Sequence, residues 1–120
     1  MFLAKRENNP LRDNILVNTR QCKHFPGDPE RSIVLMEELG RKLAQDGRAD
    51  KTTVVIAFAE TATAIGAVVS GFFHDCFFVT TTREKLPDWA TAIGFEEQHS
   101  HAPQHYLCVR DEDAFRRCLL

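Results

Sequence analysis

Polar and apolar positions change rhythm several times along the chain. Residues 1–13 are mixed, with Asn8, Asn9 and Pro10 breaking any pattern, and read as a lead-in. Asn14–Thr19 (NILVNT) is a short strand candidate, and residues 23–29 (KHFPGDP) form a loop rich in turn formers. After Pro29 the period becomes helical. Leu35, Leu39 and Leu43 recur every fourth residue beside Met36, with Glu37, Glu38, Arg41 and Lys42 facing away. Asp28 before Pro29 suits a helix cap followed by proline at the first position, and the helix should fade by Asp46–Gly47.

Thr52–Ala59 is then β-rich without polar alternation, the pattern of a strand covered on both faces. Thr61–Phe73 predicts a helix with Ala64, Ile65, Val68, Val69 and Phe72 as its apolar stripe, and Cys76–Thr82 predicts another strand. Strand, helix and strand in succession make a βαβ unit. Residues 83–94 read as loop, His105–Val109 as a strand, and Asp111–Leu119 as a final helix. The order predicts an α/β fold in a single domain over 1–120.

Composition narrows the function classes. Hydrophobic residues make up 43% of the 120 residues and charged residues 27%, with a formal net charge of −2. That is a globular composition, and a mildly acidic chain lacks the basic face general nucleic-acid binding needs. No apolar run approaches membrane-helix length, so no membrane partner is expected. The amino-terminal MFLAKRENNP is too short in its apolar part for a secretion signal. Cys22, Cys76, Cys108 and Cys118 form no metal-binding or disulfide spacing; Cys76 and Cys108 lie in apolar runs and read as core thiols of a cytoplasmic protein.

The candidate chemistry lies in four places. Strand 52–59 ends in Glu60, Thr61, Ala62, Thr63 and Ala64, with Gly66 beyond. In an open α/β sheet this turn falls at the carboxyl edge, where ligands bind. Helix amides and their positive dipole end attract phosphate, and small side chains let an anion reach them. Thr61 and Thr63 add hydroxyls, whereas Glu60 suits a cap, a metal ion or a sugar hydroxyl. Neither a dinucleotide nor a P-loop motif is present. The competing explanation is that small residues permit tight helix–strand packing. In residues 95–105 (FEEQHSHAPQH), Glu97, His99 and His101 would share one side of an extended segment, fitting a divalent metal, an anionic substrate or a plain polar loop. Lys23 and His24 precede Phe25–Pro26 in a turn and can contact an anion. Arg83 follows Thr80-Thr81-Thr82 at a strand end and can clamp a phosphate or pair with Glu84.

Together, KHFP at 23–26, AFAETATAIG at 57–66, TTRE at 81–84 and FEEQHSHA at 95–102 resemble a phosphoribosyltransferase-like family associated with bacterial tellurium-resistance and stress operons. The resemblance covers about residues 14–108. It implies a type I phosphoribosyltransferase fold, a three-layer parallel sheet flanked by helices. It also implies a Mg²⁺-assisted exchange of pyrophosphate and a nitrogenous base at C1 of a phosphoribosyl group, with phosphoribosyl pyrophosphate or a nucleotide-like molecule as ligand. Glu60–Ala64 matches the pyrophosphate loop, with Lys23 and His24 as further substrate contacts. Residues 83–105 match the family's mobile loop, so that Arg83, His99 and His101 would neutralise the departing pyrophosphate.

Family members continue into a strand ending in two acidic residues and a Thr-Gly turn. This sequence reaches Leu120 without them, since Asp111-Glu112-Asp113 precedes Ala114-Phe115. The expected domain is therefore incomplete, either a fragment or a naturally short relative. A shortened sheet would expose an edge and favour a homodimer. The rival functions are a non-catalytic binding or interaction module on the same scaffold, and a metal-dependent enzyme built on Glu97, His99 and His101.

Overall fold

A computed structural model describes residues 1–5, 7, 13–23, 25–48, 52–85, 87, 92–96, 103–109, 113, 115 and 116. The chain divides into two compact units, Met1–Met36 and Glu37–Leu120.

In the first unit, β1 (Phe2–Lys5) pairs antiparallel with β2 (Asn14–Val17), so the expected lead-in begins with a strand. The apolar run Met1–Ala4 is too short to reveal this alone. Its partner strand supplies the backbone bonds. Helix α1 covers Pro29–Leu43 and crosses into the second unit. The Asp28 carboxylate accepts the Glu30 amide at 3.0 Å, the cap that the Asp-Pro pair predicts. Buried Ser32 donates its hydroxyl to the Arg20 carbonyl at 2.7 Å, tying α1 to the preceding loop. The inward line of α1 runs through Ser32 and Gly40, whereas Leu39 and Leu43 are 43% and 44% exposed. A wide-turned segment, Ala44–Arg48, follows the helix.

The second unit carries a four-stranded sheet in the order β3-β4-β6-β5. Strand β3 (Thr53–Ala57) lies parallel to β4 (Cys76–Thr82), with Ala57 beside Thr80. Helix α2 (Thr63–Ser70) makes the connection and packs on both strands, giving the βαβ unit that the sequence implies. The α/β architecture holds, with one correction: the sheet is mixed, not parallel throughout. Strand β6 (Gln104–Cys108) runs antiparallel to β4 and to β5 (Ala92–Glu96). No crossover is needed between β5 and β6, because a short connection can only return the chain antiparallel. β5 occupies part of the stretch expected as loop; Leu86 to Ile93 lacks any sustained period that would announce it.

Side-chain alternation sets two faces. Ala57 faces α2, where an added methyl at Gly66 would lie 2.6 Å from the Ala57 Cβ. The opposite face includes Phe77, whose ring meets that of buried Phe115 at 5.8 Å between centroids. Backbone at Asp113, Phe115 and Arg116 is helical, in line with the expected final helix. Strand β3 ends one side of the sheet order, so Ile56 remains 40% exposed and the strand is not covered on both faces. Cys108 is exposed and Cys76 half-buried, which corrects their reading as core thiols. Among the described residues no helix is long and apolar enough to cross a membrane.

Candidate functional site

The turn joining β3 to α2 lies at the carboxyl edge of the parallel pair, where the topology of an open α/β sheet places ligands. It begins at Phe58, and the Ala59–Glu60 peptide is cis. The Ala62 amide donates to the Phe58 carbonyl at 3.1 Å, and the Thr63 amide reaches the Glu60 carbonyl at 3.4 Å. Ala62 caps α2 without any side-chain hydrogen bond, and no acidic residue occupies the first turn. This contrasts with Asn18 and Asp28, whose carboxamide and carboxylate oxygens each accept an amide at the start of a helical segment. The amides of Glu60, Thr61, Ala64 and Ile65 meet no acceptor among the described residues. The start of α2 therefore offers donors and a positive dipole end toward solvent.

The packing explanation for the small residues can now be weighed. It accounts for Gly66, which is buried against Ala57 and Phe78. It does not account for Thr61, Thr63 and Ala64, which are exposed, or for Glu60, also exposed. At those positions larger side chains would meet solvent, but they would also screen the amides.

Strand β4 grips the turn from below. The Thr81 hydroxyl accepts the Ala59 amide at 2.8 Å, and Arg83 Nη2 donates to the Ala59 carbonyl at 3.4 Å. The amide and the carbonyl of Ala59, in the two peptide units that flank its Cα, are thus both held, with the Arg83 guanidinium beside the second. Thr81 also bonds His105 Nδ1 at 3.1 Å. His105 is fully buried, stacked on Phe95 at 5.6 Å and 13°, with the Phe58 ring edge-on at 5.8 Å. A cleft of about 200 Å³ opens at this end of the β5–β6 hairpin, lined by Gly94, Phe95, Glu96, Gln104, His105 and Tyr106. It carries the Glu96 carboxylate and neither lysine nor arginine, so an anion is better served at the turn.

The structure brings together Glu60, Thr61, Ala62, Thr63, Ala64 and Arg83. Lys23 belongs to the other unit, exposed after the left-handed Cys22 (φ 53°). His24, Glu97, His99 and His101 lie outside the described residues. Among the described residues no group of three histidine, cysteine or acidic side chains is placed to hold a metal ion. Sequence reasoning passed over Thr81 and His105. Alternation alone could have found them: Thr81 is in phase with Phe77 and Val79, and His105 with Leu107, so both face the covered side. A buried threonine needs a partner, and histidine is a ready one.

Comparison with curated proteins and with solved structures gives no match. A family model described as phosphoribosyl transferase matches residues 1–119, beyond the 14–108 that the motifs cover. With almost its whole length matched, the chain belongs to the phosphoribosyl transferase family.

Proposed function

We propose that the chain binds the pyrophosphate portion of a phosphoribosyl or nucleotide-like ligand at the turn between β3 and α2. The observation that carries this reading is the uncapped start of α2, where four amides meet no acceptor among the described residues and Thr61, Thr63 and Ala64 are small and exposed. Phosphate oxygens accept from such amides, and the helix dipole adds attraction. The Thr61 and Thr63 hydroxyls supply further donors. Arg83, bonded to the carbonyl of the peptide that carries the Glu60 amide, adds a full positive charge.

In phosphoribosyl transfer the bond from C1 to pyrophosphate breaks, and the leaving group departs with the electron pair. A bond from C1 to a ring nitrogen of the base forms, and the base gives up a proton. Charge grows on the leaving oxygens as C1 becomes cationic. Fixed amides and Arg83 would oppose that growing charge without reorganising. Mg²⁺ would supply further neutralisation of the pyrophosphate. It is bound in such sites by one or two carboxylates together with substrate phosphates, and exposed Glu60 is one suitable carboxylate.

Isothermal titration of the full chain with pyrophosphate and Mg²⁺ tests the reading. One saturable site is expected, and replacing Thr61 and Thr63 together with phenylalanine should abolish it. Because both positions are exposed, the double variant should stay within about 0.5 kcal/mol of the parent in stability. Unchanged affinity in that variant would place the ligand elsewhere.

A further inference from the structure

We propose that Thr81 and His105 are positioning residues of the anion-binding turn: the buried imidazole fixes the Thr81 hydroxyl so that its oxygen holds the Ala59 amide. This inference deepens the proposed function and rests on it.

The direction of each bond follows from counting hydrogens. The Ala59 amide can only donate, so Thr81 Oγ1 accepts it at 2.8 Å. The hydroxyl has one hydrogen of its own, and Thr81 is 4% exposed, so water is not its acceptor. His105 Nδ1, at 3.1 Å, is an acceptor within reach. If Nδ1 carried a proton instead, Thr81 would accept twice and its hydrogen would be buried without a partner, an arrangement that costs stability. Pairing the Thr81 hydrogen with the ring in this way makes Nδ1 bare and puts the imidazole proton on Nε2, itself a buried atom.

The ring cannot swing away easily. It is fully buried, stacked on Phe95 and met edge-on by Phe58. A rigid path thus runs from β5 and β6 through Thr81 to the Ala59 peptide. Arg83, just beyond β4, holds the carbonyl of the same residue. The orientation of that peptide sets where the following amides of Glu60 and Thr61 point. Preorganised donors bind an anion without first being ordered, and a small misplacement weakens every contact at once.

Two measurements on the full chain test this. Long-range ¹H–¹⁵N NMR of the unliganded protein should find His105 with its proton on Nε2 and Nδ1 as acceptor. The Ala59 amide should resist hydrogen exchange in the parent and in Thr81→Ser, and exchange readily in Thr81→Val. An Nδ1-protonated ring, or an Ala59 amide equally protected in Thr81→Val, would overturn the proposal whether or not pyrophosphate binds. In titrations with pyrophosphate and Mg²⁺, Thr81→Val and His105→Phe should weaken binding roughly tenfold, the loss of one buried hydrogen bond. Thr81→Ser and His105→Asn, which restore a hydroxyl and an acceptor, should recover affinity. Weakening that tracks thermal stability alone, without recovery in the conservative variants, would reduce both residues to packing. A parent protein that ignores pyrophosphate but passes the NMR test would sink the ligand reading and leave the positioning chain intact.

Discussion

Replacing Gly66 with alanine sets helix propensity against packing, and the two give opposite signs. Gly66 is the fourth residue of α2 and is buried. Alanine in a helix interior is favoured over glycine by about 1 kcal/mol, which on its own would raise the melting temperature. The new methyl, however, would lie 2.6 Å from the Ala57 Cβ and 2.8 Å from Phe78 Cε2. Carbon atoms rest about 3.5–4.0 Å apart, so each contact is short by roughly 1 Å. Phe78 is 36% exposed and can turn aside, but Ala57 is 3% exposed and its Cβ is fixed to the β3 backbone. Helix α2 must therefore lift from the sheet. Overpacking of this kind costs about 1–3 kcal/mol, which leaves a net loss near 1 kcal/mol after the propensity gain. For a chain of this size that lowers the melting temperature by about 4 °C. Circular dichroism melts of Gly66→Ala would read the shift, with exposed Ala67→Gly as a measure of propensity alone. A lifted helix also moves the open amides, so pyrophosphate affinity should fall along with stability. A melting temperature above the parent's would refute the reasoning, because it would show that α2 does not press on β3 at Gly66.

Two further outcomes separate the proposed anion site from the rest of the fold. Arg83→Ala should weaken pyrophosphate binding by about tenfold, as expected for loss of one charge-assisted contact, and the deficit should shrink in high salt; titration at two ionic strengths would read both. Asp28→Ala removes the oxygen that accepts the Glu30 amide at 3.0 Å. It should cost about 1 kcal/mol in urea melts while leaving pyrophosphate affinity as it is.

Much of this fold was legible because local chemistry and tertiary structure agree. Asp28-Pro29 announces the start of α1, and Cys76–Thr82 coincides with β4 because β-branched and aromatic residues fill both faces. The turn at 60–64 stood out for the same reason, since an abrupt loss of side-chain bulk after a strand is visible in one dimension. Other features depend on distant partners. β1 exists because β2 pairs with it, and the direction of β6 is set by its hairpin with β5, which no residue within β6 encodes. Leu39 and Leu43 follow a helical period yet stay half-exposed, because periodicity identifies an apolar side of a helix without saying what covers it.

Thr81 and Arg83 show why the site itself was only half legible. Two residues apart on one strand end, they hold the two polar atoms of one residue, Ala59, more than twenty positions earlier in the chain. Arginine draws notice in a sequence because its charge suits phosphate. The threonine, sitting between two identical neighbours, does not. Yet the alternation that turns Thr81 inward determines whether a hydroxyl meets the turn, and its phase relative to Phe77 is readable. Had the strand slipped by one residue, Thr80 or Thr82 would face that side and the charge of Arg83 would leave the Ala59 carbonyl. Strand register, more than any motif letter, is therefore what converts the small-residue turn into an arranged set of donors.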